Sequence, residues 1–166
     1  MTISSDPRKD GQREMLRHTV ATLADRGAKA VKGAPNDFAT FRCGESTRTP
    51  GAILAHVGDL LDWALALVRG AHIWRDSTPL PWEQEVERFF RALAALDSRL
   101  ATDADLGWAP EEIFQGPIAD ALTHVGQLAM LRRLAGSPVR GESYLKADIV
   151  AGRVGRDQAP PPREFD

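Results

Sequence analysis

Cysteine is nearly absent from this chain of 166 residues; Cys43 is the only one. A single thiol excludes an internal disulfide and any multi-cysteine zinc site. An excess of one charge is also missing, since 21 Lys and Arg stand against 23 Asp and Glu, a net charge of −2. Without a basic surplus there is no electrostatic footprint for gripping a polyanion, so no nucleic-acid partner is expected. No run approaches the roughly 18 consecutive apolar residues of a membrane-spanning helix, so no membrane partner is expected either. The first residues, MTISSDPRKDGQRE, lack the apolar stretch of a secretory signal. Together these absences predict a cytoplasmic protein. Strand patterning is weak, and there is no internal repeat, Gly-rich phosphate loop, serine-hydrolase elbow or C-x-x-C pair.

What remains is an ordinary globular composition, 43% apolar and 27% charged, enough to build one core in one domain. The apolar residues recur at helical spacing. Asp6-Pro7 sets a cap and a first-turn proline, and Leu16, Val20, Leu23, Gly27 and Val31 make one stripe on a helix from about 7 to 32. A long connection follows, pinned by Phe38 and Phe41. Thr49-Pro50 repeats the cap-then-proline start, and Ile53, Val57, Leu60, Ala64 and Leu67 line a second helix over about 50–69. The third helix, about 82–101, opens on Glu83, Glu85 and Glu87 and buries Val86, Phe89, Phe90, Leu93, Leu96 and Leu100. After a connection anchored by Trp108 and Phe114, Gly116-Pro117 starts a fourth helix, about 117–135, that is apolar or small nearly all round. Such a helix is buried on most sides, centrally or against a second subunit, so a homodimer is expected. The tail, 137–166, holds at most one short helix over Tyr144–Val150. The expected fold is all-α, a four-helix bundle with long crossover connections.

Polar residues on buried helix faces carry the chemistry, because their burial costs free energy unless something satisfies them. His56 lies on the core side of the second helix, beside Ile53, Leu60 and Trp63. Asp120 and His124 lie one turn apart on the fourth. Two imidazoles and a carboxylate can converge on one divalent ion and leave coordination positions open, as a catalytic site needs. The same three residues can instead form a buried His–Asp network that locks the two helices together.

The stretches TPGAILAHVGDLLDWALAL (Thr49–Leu67) and GPIADALTHVGQLAMLRRLAG (Gly116–Gly136) resemble the DinB/YfiT-like family of helical bundles. That family holds a metal with one histidine on its second helix and two ligands four apart on a later one, typically H-x-x-x-H followed by R-G-Q. Here the later motif reads Asp120-x-x-x-His124 followed by Val125-Gly126-Gln127. Asp120 stands where the commoner ligand is histidine; mycothiol-dependent relatives are similar in using an acidic residue there. The resemblance covers about residues 10–136. It implies metal ligands His56, Asp120 and His124, with zinc or nickel first and iron or manganese as alternatives. It also implies a low-molecular-weight thiol, mycothiol or bacillithiol, as co-substrate in transfer or isomerisation of a small electrophile. Hydrolysis is a variant of that chemistry. The alternative is a non-catalytic metal-binding or stress-response bundle that acts through partner binding.

Around this triad each further residue has two readings. Gln127 shares a side with Asp120 and can hydrogen-bond a ligand or simply pack. Trp63 can wall the pocket or fill the core, and Asp59 can orient His56 or sit in solvent. Arg132 and Arg133 suit the end of their helix and can also greet an anionic substrate. Gln127, Trp63 and Arg132 are thus the expected cofactor- or substrate-binding residues. Cys43 has no base beside it in sequence, and His18 and His72 are read as surface residues without chemistry.

Overall fold

The computed structural model describes residues 7–165, and it is mostly helical. Four long helical stretches pack around one connected cluster of buried apolar side chains. Helix α1 spans Pro7–Val31, α2 Pro50–Val68 and α3 Trp82–Leu100. The fourth stretch runs without a break through α4 (Pro110–Ile113), a π turn (Phe114–Ile118) and α5 (Ala119–Leu134). The cap expected at Asp6 lies outside the described residues.

Local chemistry explains the starts. The Thr49 side chain accepts from Ala52 N at 3.2 Å, ahead of Pro50 at the first helical position. The expected stripes of α1, α2 and α3 all face inward, with Val20, Leu23, Val57, Phe89, Leu93, Leu96 and Leu100 fully enclosed. Gly27 lets α1 and α3 approach, since a Cβ there would run into the Phe89 ring. Among the described residues, α2 alone, 19 residues with a stretch of mean hydropathy 1.5, is long and apolar enough to cross a membrane by length and composition. Most of it is buried inside the protein, and that burial accounts for its apolar character.

The helices close a ring in which α2 contacts α3 and α5, and α1 contacts the same two. The connections 32–49 and 101–109 therefore join helices diagonally across the ring, as crossover links must. The first is held by Phe38, 1% exposed, and by the partly buried Phe41.

Three expectations are corrected. The fourth helical stretch begins at Pro110, not near Pro117. Pro117 lacks the N–H that an α-turn requires, and the chain widens into the π turn around it instead of stopping. Ile113 and Ile118 are the fully buried anchors of this segment, while Phe114 is 44% exposed. Trp108 is likewise partly exposed. Finally, α5 is not enclosed all round: Ala121, Val125, Leu128 and Leu131 face the core, whereas Gly126, Gln127 and Met130 face outward.

The tail folds back over α1. Gly141–Glu142 and Glu164–Phe165 form a two-residue antiparallel ladder, and only Tyr144–Lys146 makes a helical turn, of 3-10 type. Lys29 on α1 reaches Glu142 at 3.5 Å and Glu164 at 3.4 Å, the Arg26 guanidinium stacks on Tyr144, and Val154 joins the core. This docking encloses Asp25, whose Oδ2 lacks a hydrogen-bond partner. Burial, and then the Glu142 carboxylate, push the Asp25 carboxyl above the ordinary carboxylate range. The folded chain therefore keeps a proton that the unfolded chain gives up, and stability falls as pH rises through that window. Above that window the cost of the buried charge is present in full. Asp25→Asn is expected to raise the melting temperature at pH 7, with the gain shrinking to nothing below about pH 4. A pH series of thermal melts on both proteins checks this.

Candidate metal centre

Helices α2 and α5 are neighbours in the ring, so the inner edge of one meets the inner edge of the other. His56 comes from the middle of α2; Asp120 and His124 occupy the first two turns of α5, directly after the π turn. One ligand atom from each lies within 4.8 Å of the others. His56 Nε2 is 3.8 Å from Asp120 Oδ2, and His124 Nε2 is 3.3 Å from Asp120 Oδ1. The two imidazoles meet edge to face, with ring centroids 4.7 Å apart.

Gln127 decides what His124 presents. His124 Nδ1 lies 3.0 Å from Gln127 Oε1, one turn further along α5. In the tautomer whose Nδ1–H donates to that amide oxygen, Nε2 carries the lone pair and faces the Asp120 carboxylate. Two electron-rich atoms then face each other at 3.3 Å, an arrangement that a cation between them relieves. Burial, then the neighbouring His124 and Arg48, lower the proton affinity of His56, against the opposing pull of Asp120 and Asp59. The His56 ring is thus suited to donate a lone pair. The histidine side chains are 20% and 14% exposed and Asp120 47%, so the centre is walled on the histidine side and open on the carboxylate side.

The wall is aromatic. Trp74 packs edge-on against His56 at 5.6 Å, and Trp63 stands behind it, 5.7 Å from Trp74 and 5.6 Å from His72. Trp63 is therefore one ring removed from the triad and lines a different cleft, of about 750 Å³, beneath the connection between α2 and α3. Trp74 was not singled out from sequence, because nothing local shows that an inter-helix loop folds onto His56. Asp59 supplies the reason the loop is held. It neither orients His56 nor sits in solvent: it is 5% exposed, accepts from Ser77 N and Oγ at 2.9 and 2.6 Å, and pairs with Arg88 at 2.6 Å. Burial alone would raise its pKa, but the Ser77 and Arg88 hydrogen bonds outweigh it and hold the carboxylate below its ordinary range.

Arg132 is not at the site. It is 4% exposed, and its guanidinium donates to Ala30 O, Lys32 O, Gly33 O, Ser137 O and Ser137 Oγ, between 2.9 and 3.2 Å. Its role is to tie the end of α1 to the end of α5. The cation near the triad is instead Arg48, just ahead of the Thr49 cap. Cys43 is exposed and lines the cleft beside His124 without belonging to the triad, and His18 and His72 are exposed.

Comparison with protein-family models, curated proteins and solved structures finds no match.

Proposed function

We propose that this chain is a DinB/YfiT-like four-helix bundle and a divalent-metal-dependent enzyme that uses a low-molecular-weight thiol, mycothiol or bacillithiol, on a small electrophile. The observation that carries the reading is the convergence of His56, Asp120 and His124 within 4.8 Å, from two helices, on a solvent-open edge. Two imidazoles and one carboxylate suit zinc or nickel, and also iron or manganese, and three protein donors leave positions for thiol and substrate. A bound divalent ion would favour the anionic, nucleophilic form of a thiol or of water.

The chain's own residues do the rest. His56 and His124 offer Nε2, Asp120 offers negative charge, and Gln127 fixes the tautomer and ring angle of His124. Trp74 packs edge-on against His56, while the exposed Asp120 side admits small molecules. A structural metal clip in a partner-binding bundle calls for a closed centre; the 47% exposure of Asp120 and a cleft that reaches His124 favour the enzyme reading.

The test is metal content of protein purified without a metal-binding tag, measured by elemental mass spectrometry. About one equivalent of zinc, nickel, iron or manganese per chain is expected, lost in Asp120→Ala, together with thiol conjugation of a small electrophile that requires the metal. A wild-type protein that neither carries nor takes up any of these ions overturns the reading. Metal uptake without any thiol-dependent turnover leaves the metal centre and removes the enzyme.

A further inference from the structure

A cleft of about 640 Å³ runs along the outward face of α5 beside His124, the one triad member in its lining, within the range of small-molecule sites. His124 and Gln127 line it. Met130 and Leu134 continue it, and they are 58% and 54% exposed, large apolar side chains left in the open although their neighbour Leu131 is buried. From His124 to Leu134 is ten residues, a run of about 15 Å along the helix.

The charge in this cleft is one-sided. No Asp or Glu is among its lining residues, and Arg48 is the one lining residue with a permanent charge. Among the described residues Arg48 makes no ion pair and no hydrogen bond, unlike the interlocked Arg17, Arg88 and Arg132. It lines the same cleft as His124. An unpaired guanidinium beside an apolar trough matches a ligand with one negative end and an apolar body.

We propose that the cleft binds a small molecule with a single anionic head, held by Arg48, and an apolar body laid along Met130 and Leu134, its reactive part beside His124. This deepens the reading of the triad as a reactive centre and rests on it for the identity of the ligand as substrate. The charge and the concavity favour such a ligand over a second copy of the chain, which would cover Met130 and Leu134 but has no stated use for Arg48.

The experiment is calorimetric titration of the full chain, zinc-loaded and zinc-free, with octanoate and with the neutral octan-1-ol. Octanoate is expected to bind both forms at least about tenfold more tightly than octanol, as one charged hydrogen-bonding pair can supply. Arg48→Gln should remove that preference while zinc content stays unchanged, and Met130→Glu should weaken both ligands. The proposal is overturned by equal binding of the two, by binding of neither, or by an octanoate preference that survives Arg48→Gln, since the carboxylate would then be held by the metal. It is also overturned if sedimentation shows a dimer that Met130→Glu dissociates and octanoate does not disturb. Zinc uptake without octanoate binding ends the cleft assignment alone. Arg48-dependent octanoate binding without zinc uptake ends the metal reading alone, leaving an anion-binding cleft.

Discussion

Zinc at about a hundredfold excess over its Kd is expected to raise the melting temperature of the wild-type protein by about 5–10 °C, and His124→Ala is expected to abolish the rise. The reasoning is mass action: an ion that binds the folded chain and not the unfolded one stabilises by about 2.7 kcal/mol at that excess. The triad joins α2 to α5, so metal binding braces two neighbouring helices. Removing His124 leaves two donors, one of them the partly exposed Asp120, too few to hold the ion against water. Comparing each variant with and without zinc separates this effect from any destabilisation by the substitution itself. Gln127→Leu completes the series. It keeps all three donors but frees the His124 ring, and metal affinity is expected to fall about 10–100-fold. A melting temperature that no divalent ion moves would remove the metal centre.

The second large effect is structural. Arg132→Ala is expected to cost about 3–5 kcal/mol, lowering the melting temperature by roughly 6–20 °C, with metal content per folded chain unchanged. All five N–H donors of the guanidinium are used, three of them on the last carbonyls of α1 and beyond, at Ala30, Lys32 and Gly33. Truncation strands those acceptors in a part-buried pocket where water is a poor substitute. Arg132→Lys keeps the charge but lacks the planar fork, so an intermediate loss is expected. Thermal melts and elemental analysis on the same samples check both statements. A ligand-binding arginine would give the reverse pattern, a near-normal melt and altered binding.

These two sites divide what the amino-acid order decides alone from what it does not. The helices of residues 7–31, 50–68 and 82–100 were legible because a 3.6-residue period and a Thr-Pro start are local properties, readable within one or two turns. The polar positions of the triad were legible helix by helix, but their meeting was expected only from the resemblance and depends on the packing of α2 against α5. Asp120 and His124 share a face by spacing, and His56 marks the polar break in an apolar stripe.

Choices among distant partners were not legible. Asp59 had several competent partners, and packing handed it Ser77 and Arg88, 18 and 29 residues away, instead of His56 one turn back on the same helix. Arg132 could equally have faced solvent or a substrate; three of its five acceptors lie about a hundred residues earlier in the chain. Pro117 read as a helix start because proline usually is one, yet an upstream turn anchored by Ile113 continues the helix through it as a π turn. The exposed face of α5 read as buried because composition shows that a side chain is apolar, not whether a neighbour covers it. Periodicity assigns each residue a face of its own helix. Which faces meet, which loop folds onto His56, and which arginine is left without a partner beside it are decided only when the four helices close around their core.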